Sequence, residues 1–329
     1  MAYTQQSQED RVPKEVLVLG PPNVLKAYGK QLSEKFQLLN AWESPMPTHQ
    51  FIATHASSVQ AILCSGRTPI HADVLSLLPS LGVIVTTSAG LNHIDLPECH
   101  RRGITIANTG TLYSADVADI AVGLLIDVLR KITAGDRYVR GGLWPIKGDY
   151  PLGSKLGGKR VGIVGLGNIG LEVAKRLEAF GCIISYNSRK KKPSVAFPFY
   201  PCVCELAANC DILVICCAIT DQTHHMINKE VLLALGEEGI IVNIGRGAVI
   251  DEKELVRCLV EGKIAGAGLD VFENEPDVPK ELFAMDNVVL TPHRAVYTEE
   301  GYLDLYKLVL GNLEAFFSNE PLLFPVVDE

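Results

Sequence analysis

The stretch from Arg160 to Gly170, R-V-G-I-V-G-L-G-N-I-G, constrains the fold of this chain more than any other. A short apolar run leads into glycines at Gly165, Gly167 and Gly170. Leu171 to Phe180 then carries apolar residues at helical spacing, and Gly181 to Tyr186 is a second apolar, β-branched run. Strand, glycine turn, helix, strand is the setting in which this pattern holds a dinucleotide. The first glycine allows the tight turn, the second lets the backbone approach a pyrophosphate, and the third lets helix and strand pack closely. The helix N-terminus offers N–H groups and a positive dipole end to the phosphates. Gly165, Leu166, Gly167, Asn168, Ile169 and Gly170 are therefore the expected phosphate contacts. A plain tight turn is the bland alternative, and the two flanking strands with their helix argue against it.

At 329 residues the chain has room for two domains. With 47% hydrophobic and 21% charged residues it reads as a soluble globular protein with a real core. A net charge of -8 gives no global field that would attract nucleic acid or an anionic membrane surface. No apolar run reaches membrane-spanning length, and the polar start M-A-Y-T-Q-Q-S-Q-E-D lacks the apolar core of a signal peptide. The end, P-V-V-D-E, is not a peroxisomal tripeptide. A cytoplasmic location is expected. Nine scattered cysteines, such as Cys182, Cys216 and Cys217 inside apolar runs, suggest buried thiols in a reducing compartment. Cys202 and Cys204 are the one close pair, and no second pair completes them at zinc spacing, so no metal is expected.

Residues 1–14 read as a disordered leader, and Glu15 to Gly20 as the first strand. Up to Asn108, short apolar strands (Phe36–Trp42, Val59–Cys64, Val83–Thr87, Ile104–Ala107) alternate with helical patterns, which implies a small parallel α/β domain. Two glycine-bearing loops follow strand ends, Cys64-Ser65-Gly66-Arg67 and Ser88-Ala89-Gly90-Leu91-Asn92-His93. Ligands of parallel sheets bind at such ends, although either loop could be a mere connection. Tyr113 to Val139 reads as one long helix with Ser114 as N-cap and Asp116 in the first turn. Gly141-Gly142 stops it, and a loop carrying Trp144 leads to Arg160. Further strands are expected at Asp211–Cys217, Gly239–Ile244, Ile264–Val271 and Asn287–Leu290, with helices near Lys229–Leu235 and Asp251–Glu261. Thr298-Glu299-Glu300 opens a last amphipathic helix running to about Ser318. The expected division is 1–112, 113–294 and 295–329, the last segment returning to the first domain.

The strand after the glycine turn ends in Tyr186-Asn187-Ser188-Arg189-Lys190-Lys191-Lys192. An NAD site usually carries an acidic residue here for the ribose 2′-OH, yet none occurs from Ala179 to Cys204. Ser188, Arg189 and Lys190 instead offer cations and a hydroxyl to a 2′-phosphate, so NADPH is expected and NADH more weakly. The bland reading is a solvated basic loop. Arg246 follows the strand G-I-I-V-N-I, Glu275 follows the next strand in G-L-D-V-F-E-N-E-P, and His293 follows the last in L-T-P-H. All three loops open on one edge of the sheet, so the three side chains can converge. A guanidinium there can fork onto a carboxylate or carbonyl. A histidine beside a carboxylate is an acid/base candidate, because the neighbouring charge favours its protonated form. His93 is the other histidine on a strand-end loop, while His224-His225 reads as a surface helix start.

Together V-G-I-V-G-L-G-N-I-G, L-V-I-C-C-A-I-T, V-N-I-G-R-G-A-V-I-D, G-A-G-L-D-V-F-E-N-E-P and L-T-P-H, in that order, resemble the D-isomer-specific 2-hydroxyacid dehydrogenases over nearly the whole chain. Within that family the similarity points to the plant glyoxylate/hydroxypyruvate and hydroxyphenylpyruvate reductases. The resemblance implies a Rossmann-type dinucleotide-binding domain and a smaller flavodoxin-like α/β substrate domain. It implies Arg246, Glu275 and His293 as catalytic residues. Ala218, Ile244 and Asp270 would join the cofactor contacts, Asp270 holding the carboxamide. The substrate carboxylate would lie on Ala89 and Gly90, with Ser65 and Gly66 nearby. A homodimer joined through the nucleotide domains is implied too, with Trp144 reaching the partner's substrate pocket; packing of Trp144 on its own domain is the bland alternative. Two departures stand out. Arg294-Ala295-Val296-Tyr297-Thr298 replaces the Gly-Ser-x-Thr that many relatives carry after the histidine, which bears on substrate preference, and Asp119 stands where many have Glu. The reading is an NADPH-dependent reductase of glyoxylate and hydroxypyruvate. An aromatic 2-oxo acid such as hydroxyphenylpyruvate is the substrate alternative, and a dinucleotide-sensing corepressor-like binding protein the alternative of another class.

Overall fold

The computed structural model describes residues 14–326, so the leader expected before Lys14 lies outside the described residues. The chain forms two compact units. One takes the residues up to Leu112 and those from Glu299 onward; the other is Tyr113–Thr298.

The first unit alternates β1 (Glu15–Leu19), α1 (Asn23–Ser33), β2 (Gln37–Asn40), α2 (Thr48–His55), β3 (Ala61–Cys64), α3 (Ala72–Ser76), β4 (Val83–Thr86), α4 (Leu96–Arg101) and β5 (Thr105–Ala107). The sheet is parallel in the order β2-β1-β3-β4-β5, the flavodoxin-like arrangement. Strands β3 and β4 are buried along their whole length, which is why they read as unbroken apolar runs rather than alternating ones.

The second unit holds α5 (Ser114–Arg130), α6 (Ile132–Arg140), α7 (Trp144–Lys147), β6 (Arg160–Val164), α8 (Asn168–Ala179), β7 (Ile183–Asn187), α9 (Val203–Ala208), β8 (Ile212–Ile215), α10 (Lys229–Leu235), β9 (Ile240–Asn243), α11 (Glu252–Val260), β10 (Gly266–Leu269) and β11 (Val288–Leu290). Its six-stranded sheet is ordered β11-β10-β9-β8-β6-β7 and every pair is parallel. An isolated parallel bridge, Tyr186 to Phe199, lies against β7, where a doubly wound sheet would carry a further strand. Helix α5 lies close on β10. A Cβ at Gly266 would come within 2.8 Å of Val128 Cγ1, and one at Gly268 within 2.9 Å of Leu124 Cβ, so the G-A-G of that strand is what admits the helix.

The last helix, α12 (Glu299–Phe317), belongs to the first unit. Tyr306 stacks on Tyr28 with ring centroids 4.7 Å apart, and Phe317 lies against Phe36. Phe316 fills the space that a side chain at Gly82 would need. The tail then bridges from Pro325 to Ala107 beside β5.

Two expectations are corrected. The single helix from Tyr113 to Val139 is broken at Lys131, which adopts a left-handed backbone with φ of 54°. The Asp127 carboxylate explains the break, since it accepts the Thr133 N–H at 2.8 Å and the Thr133 hydroxyl, restarting the chain as α6. Ser114 is the first residue of α5 rather than its N-cap; Tyr113 holds the cap position without a side-chain hydrogen bond. The second unit closes on the segment 294–298. The Arg294 and Ala295 N–H groups donate to Asp270, and the Thr298 hydroxyl reaches Asp116.

Candidate functional site

The glycine turn follows β6 and carries the three spatial demands expected of it. Gly165 has φ of 94°, and a Cβ there would lie 2.6 Å from the Cys217 nitrogen beyond β8. At Gly170 a Cβ would come within 2.3 Å of the Gly165 carbonyl, so only glycine lets α8 start this close to β6. At Gly167 a Cβ would meet nothing within 4 Å, leaving the backbone open to an approaching group. Gly167 is also the N-cap of α8, and no side chain caps that helix. Its first N–H groups therefore face outward as a ready anion site. Leu166 is buried and anchors the turn, while Asn168 and Ile169 open the helix. The strand order reverses between β6 and β8, the switch point at which open α/β sheets bind dinucleotides. The residues present fit a dinucleotide pyrophosphate.

The basic run leaves the same edge of the sheet. Ser188, directly after β7, donates its hydroxyl to the Lys190 carbonyl at 2.6 Å and shapes a short turn. Arg189 and Lys190 are exposed, and the Lys192 N–H donates to the buried Tyr186 hydroxyl at 2.8 Å. Within residues 188–192 the cations are thus presented on a fixed loop. Ala218 lies beyond β8, its carbonyl accepting from the Thr223 hydroxyl at 2.8 Å. Ile244 is buried directly after β9.

The three residues expected to act together come from the ends of β9, β10 and β11 within one unit. His293 Nδ1 lies 2.9 and 2.8 Å from the two carboxylate oxygens of Glu275. A carboxylate can only accept, so Nδ1 carries the proton of this bond and Nε2 is the nitrogen left to serve a ligand. The Glu275 carboxylate is steadied by the Phe272 N–H at 3.3 Å. Arg246 is half-buried at the end of β9, donating to the Gly245 carbonyl at 2.8 Å. Burial lowers its pKa below the usual guanidinium value, and the charge of Glu275 opposes that shift. Gly247 lets the two loops touch, since a Cβ there would lie 1.9 Å from the Phe272 carbonyl carbon.

Asp270 organises the histidine loop. It is 1% exposed, and its carboxylate accepts from the Thr291 hydroxyl at 2.6 Å, the Arg294 N–H at 2.9 Å and the Ala295 N–H at 3.1 Å. Its carbonyl accepts the His293 N–H at 2.7 Å. These bonds hold His293 in a left-handed conformation, φ 49°, which turns its ring toward Glu275. Sequence reasoning assigned Asp270 to the cofactor and missed this role. No local pattern signals it, because the bonds form only once the loop after β11 folds back on Asp270.

In the first unit, Ser65-Gly66 and Ala89-Gly90 sit beyond the carboxyl ends of β3 and β4. Gly66 admits the Ser88 hydroxyl, 2.6 Å from where a Cβ would stand, and the Asn108 amide donates to the Ala89 carbonyl at 3.0 Å. His93 is buried in that unit with Nε2 3.0 Å from the Thr86 hydroxyl. Trp144 opens α7 and is 58% exposed. His224 and His225 do not start a helix. They form a turn in which His225 has φ of 49° and Nε2 lies 2.9 Å from Glu273 Oε1. All nine cysteines are free thiols.

Known proteins resemble this chain in sequence and fold. Residues 122–295 match the D-isomer specific 2-hydroxyacid dehydrogenase, NAD binding domain. A glyoxylate/hydroxypyruvate reductase of Arabidopsis thaliana is 55% identical over 97% of this chain and 98% of its own. A hydroxyphenylpyruvate reductase of Plectranthus scutellarioides is 48% identical over 91% and 95%. The crystal structure of an NADPH-dependent glyoxylate/hydroxypyruvate reductase from Sinorhizobium meliloti, in complex with NADP and malonate, superposes with a TM-score of 0.86 at 36% identity, covering 96% of this chain and 97% of that one. With the glycine turn, the basic run and the Arg–Glu–His group in place, this chain belongs to the D-isomer-specific 2-hydroxyacid dehydrogenase family.

Proposed function

We propose that this enzyme reduces small 2-oxo acids, glyoxylate and hydroxypyruvate, to 2-hydroxy acids, with NADPH preferred over NADH. The observation that carries the reading is the His293–Glu275 pair beside Arg246 at the carboxyl edge of the nucleotide-binding sheet. Residues 165–170 would hold the pyrophosphate, Ser188, Arg189 and Lys190 the adenosine 2′-phosphate, and Ala218, Ile244 and Asp270 the nicotinamide end. When bound, NADPH supplies the hydride that reaches the keto carbon.

The protein's own groups do the rest. Arg246 grips the substrate carboxylate and carbonyl oxygen with a guanidinium that is always charged. Glu275 fixes the ring with Nδ1–H toward itself; in the imidazolium form Nε2–H points to the carbonyl oxygen and gives its proton to the forming alkoxide, leaving neutral imidazole with the proton on Nδ1. Half-burial sharpens both interactions, because charge developing on the oxygen is met by donors already in place. In the first unit, the backbone N–H groups of Ala89 and Gly90 would take a substrate carboxylate, with Ser65 and Gly66 also assigned to substrate. Replacing His293 with Gln tests the assignment: kcat is expected to fall by about 10²–10⁴-fold while NADPH still binds. Near-normal kcat would remove His293 from the mechanism.

A second substrate, hydroxyphenylpyruvate, is favoured by one observation, the 48% identity to a reductase named for it. The protein acts as a homodimer in the cytoplasm, without nucleic acid or membrane. Support comes from the exposed apolar side chains of Ile132, Val139, Trp144, Ile146 and Phe283 in one unit, and from the net charge of -8. In addition, no helix of the described residues is long and apolar enough to cross a membrane.

A further inference from the structure

We infer that His224, His225 and Glu273 form a binding site for a divalent transition-metal ion of the zinc class. One ligand atom from each of these residues lies within 4.8 Å of the other two, and His225 Nε2 lies 2.9 Å from Glu273 Oε1. Zinc binds imidazole nitrogen and carboxylate oxygen at about 2.0–2.2 Å, so two ligands of one tetrahedral centre lie about 3.4 Å apart. The His225–Glu273 pair is close to that spacing, and the exposed His224 ring would have to turn out of its stack on His225 to bring a nitrogen to the ion. Two imidazoles and one carboxylate suit zinc, cobalt, nickel or copper, whereas magnesium and calcium want an all-oxygen shell. Three protein ligands leave a fourth position for water.

A simple ion pair between His225 and Glu273, with His224 stacked on it, is the competing account, and only a bound ion would call on His224 as a ligand. That ring is exposed yet stacks on His225, with centroids 4.0 Å apart and planes 26° from parallel. Both sides of the site are also held in place by their backbones. The His225 N–H donates to the Ala248 carbonyl at 2.9 Å, and the Ile227 N–H to the Val249 carbonyl at 3.0 Å, which fixes the left-handed turn at His225. The Glu273 N–H donates to the Glu252 carboxylate at 3.1 Å. A bound ion would therefore clip the turn at 224–225 to the loop at 272–275 without displacing either. That loop also carries Glu275, so the clip adds rigidity to a segment the reaction uses while lying outside the Arg246, Glu275 and His293 group.

The test is a calorimetric titration of metal-stripped, full-length protein with ZnCl₂, comparing the natural sequence with His224→Ala, Glu273→Gln and Cys202→Ser. His224 is exposed and its removal leaves the fold and the metal-free kcat intact, which a thermal melt and a rate assay confirm before titration. The expected result is one micromolar site in the natural sequence, weakened at least tenfold in His224→Ala and in Glu273→Gln and unchanged in Cys202→Ser. Zinc is also expected to raise the Tm of the natural sequence and not that of His224→Ala. Unaltered affinity in His224→Ala overturns the inference, as does the absence of a micromolar site in the natural sequence. Loss of the site in Cys202→Ser assigns the ion to thiols instead and overturns it equally.

Discussion

Asp270→Asn separates the positioning of His293 from the chemistry proposed for it. The natural carboxylate is buried and accepts three hydrogen bonds from the segment that carries His293. An amide of the same shape keeps one accepting oxygen and turns an NH₂ toward one of the donors. If the NH₂ takes the place of Oδ2, it faces the Ala295 N–H and leaves a buried donor without a partner. Hydrogen bonds to a charged group contribute about 1.5–3 kcal/mol, and a buried unsatisfied group costs about 1–3 kcal/mol. The expected loss is about 3 kcal/mol, which for a unit of this size lowers Tm by roughly 6–12 °C. The same change loosens the loop around His293, whose N–H still donates to the Asp270 carbonyl, and misplacement of a catalytic group by about 1 Å costs on the order of 10²-fold in rate. Steady-state kinetics at a temperature below the lowered Tm should therefore show kcat down by about 10–100-fold with the KM for NADPH nearly unchanged. A carboxylate offers about four acceptor sites, so one remains for a cofactor amide. If Asp270 acts chiefly through that contact, the KM for NADPH rises and kcat is kept, and the positioning argument fails.

Two further outcomes follow from the cofactor and subunit proposals. Arg189→Ala removes one charge-assisted contact, worth roughly 1.5–3 kcal/mol, and should raise the Kd for NADPH by about 10–100-fold while NADH is little affected; equal losses with both would make residues 189–192 a solvated loop. Trp144→Ala should leave the fold intact but change the relative rates on glyoxylate and hydroxyphenylpyruvate, with the natural protein a dimer by light scattering; a monomer, or unaltered relative rates, contradicts the role given to this exposed tryptophan.

The sequence announces the sheets more clearly than it announces the residues that hold the site in shape. Both central strands of the first unit are buried on two faces, so their apolar runs are visible without any partner. The glycine turn is legible because each of its glycines answers a separate close approach or opening in the backbone. The helix break at Lys131 is hidden, since Val128 and Ile132 continue the helical spacing across it. The deciding contact, Asp127 with Thr133, is a side-chain bond that periodicity does not report. Arg246, Glu275 and His293 were accessible because each follows a strand of one parallel sheet. The pairing of His225 with Glu273 was not, for it joins residues 48 apart through a left-handed turn at a non-glycine residue. The bonds from Asp270 to Thr291, Arg294 and Ala295 likewise require the loop to fold back, which no local pattern announces.

The central claim is that this chain is an NADPH-preferring reductase of small 2-oxo acids, and kcat/KM on a panel of substrates with each cofactor tests it most directly. Glyoxylate and hydroxypyruvate with NADPH should give values within the ordinary enzymatic range, about 10⁴ M⁻¹s⁻¹ or above. Both should exceed hydroxyphenylpyruvate, and NADH should fall at least tenfold below NADPH with every substrate. Turnover confined to hydroxyphenylpyruvate, equal rates with the two cofactors, or no turnover on any 2-oxo acid would contradict the account.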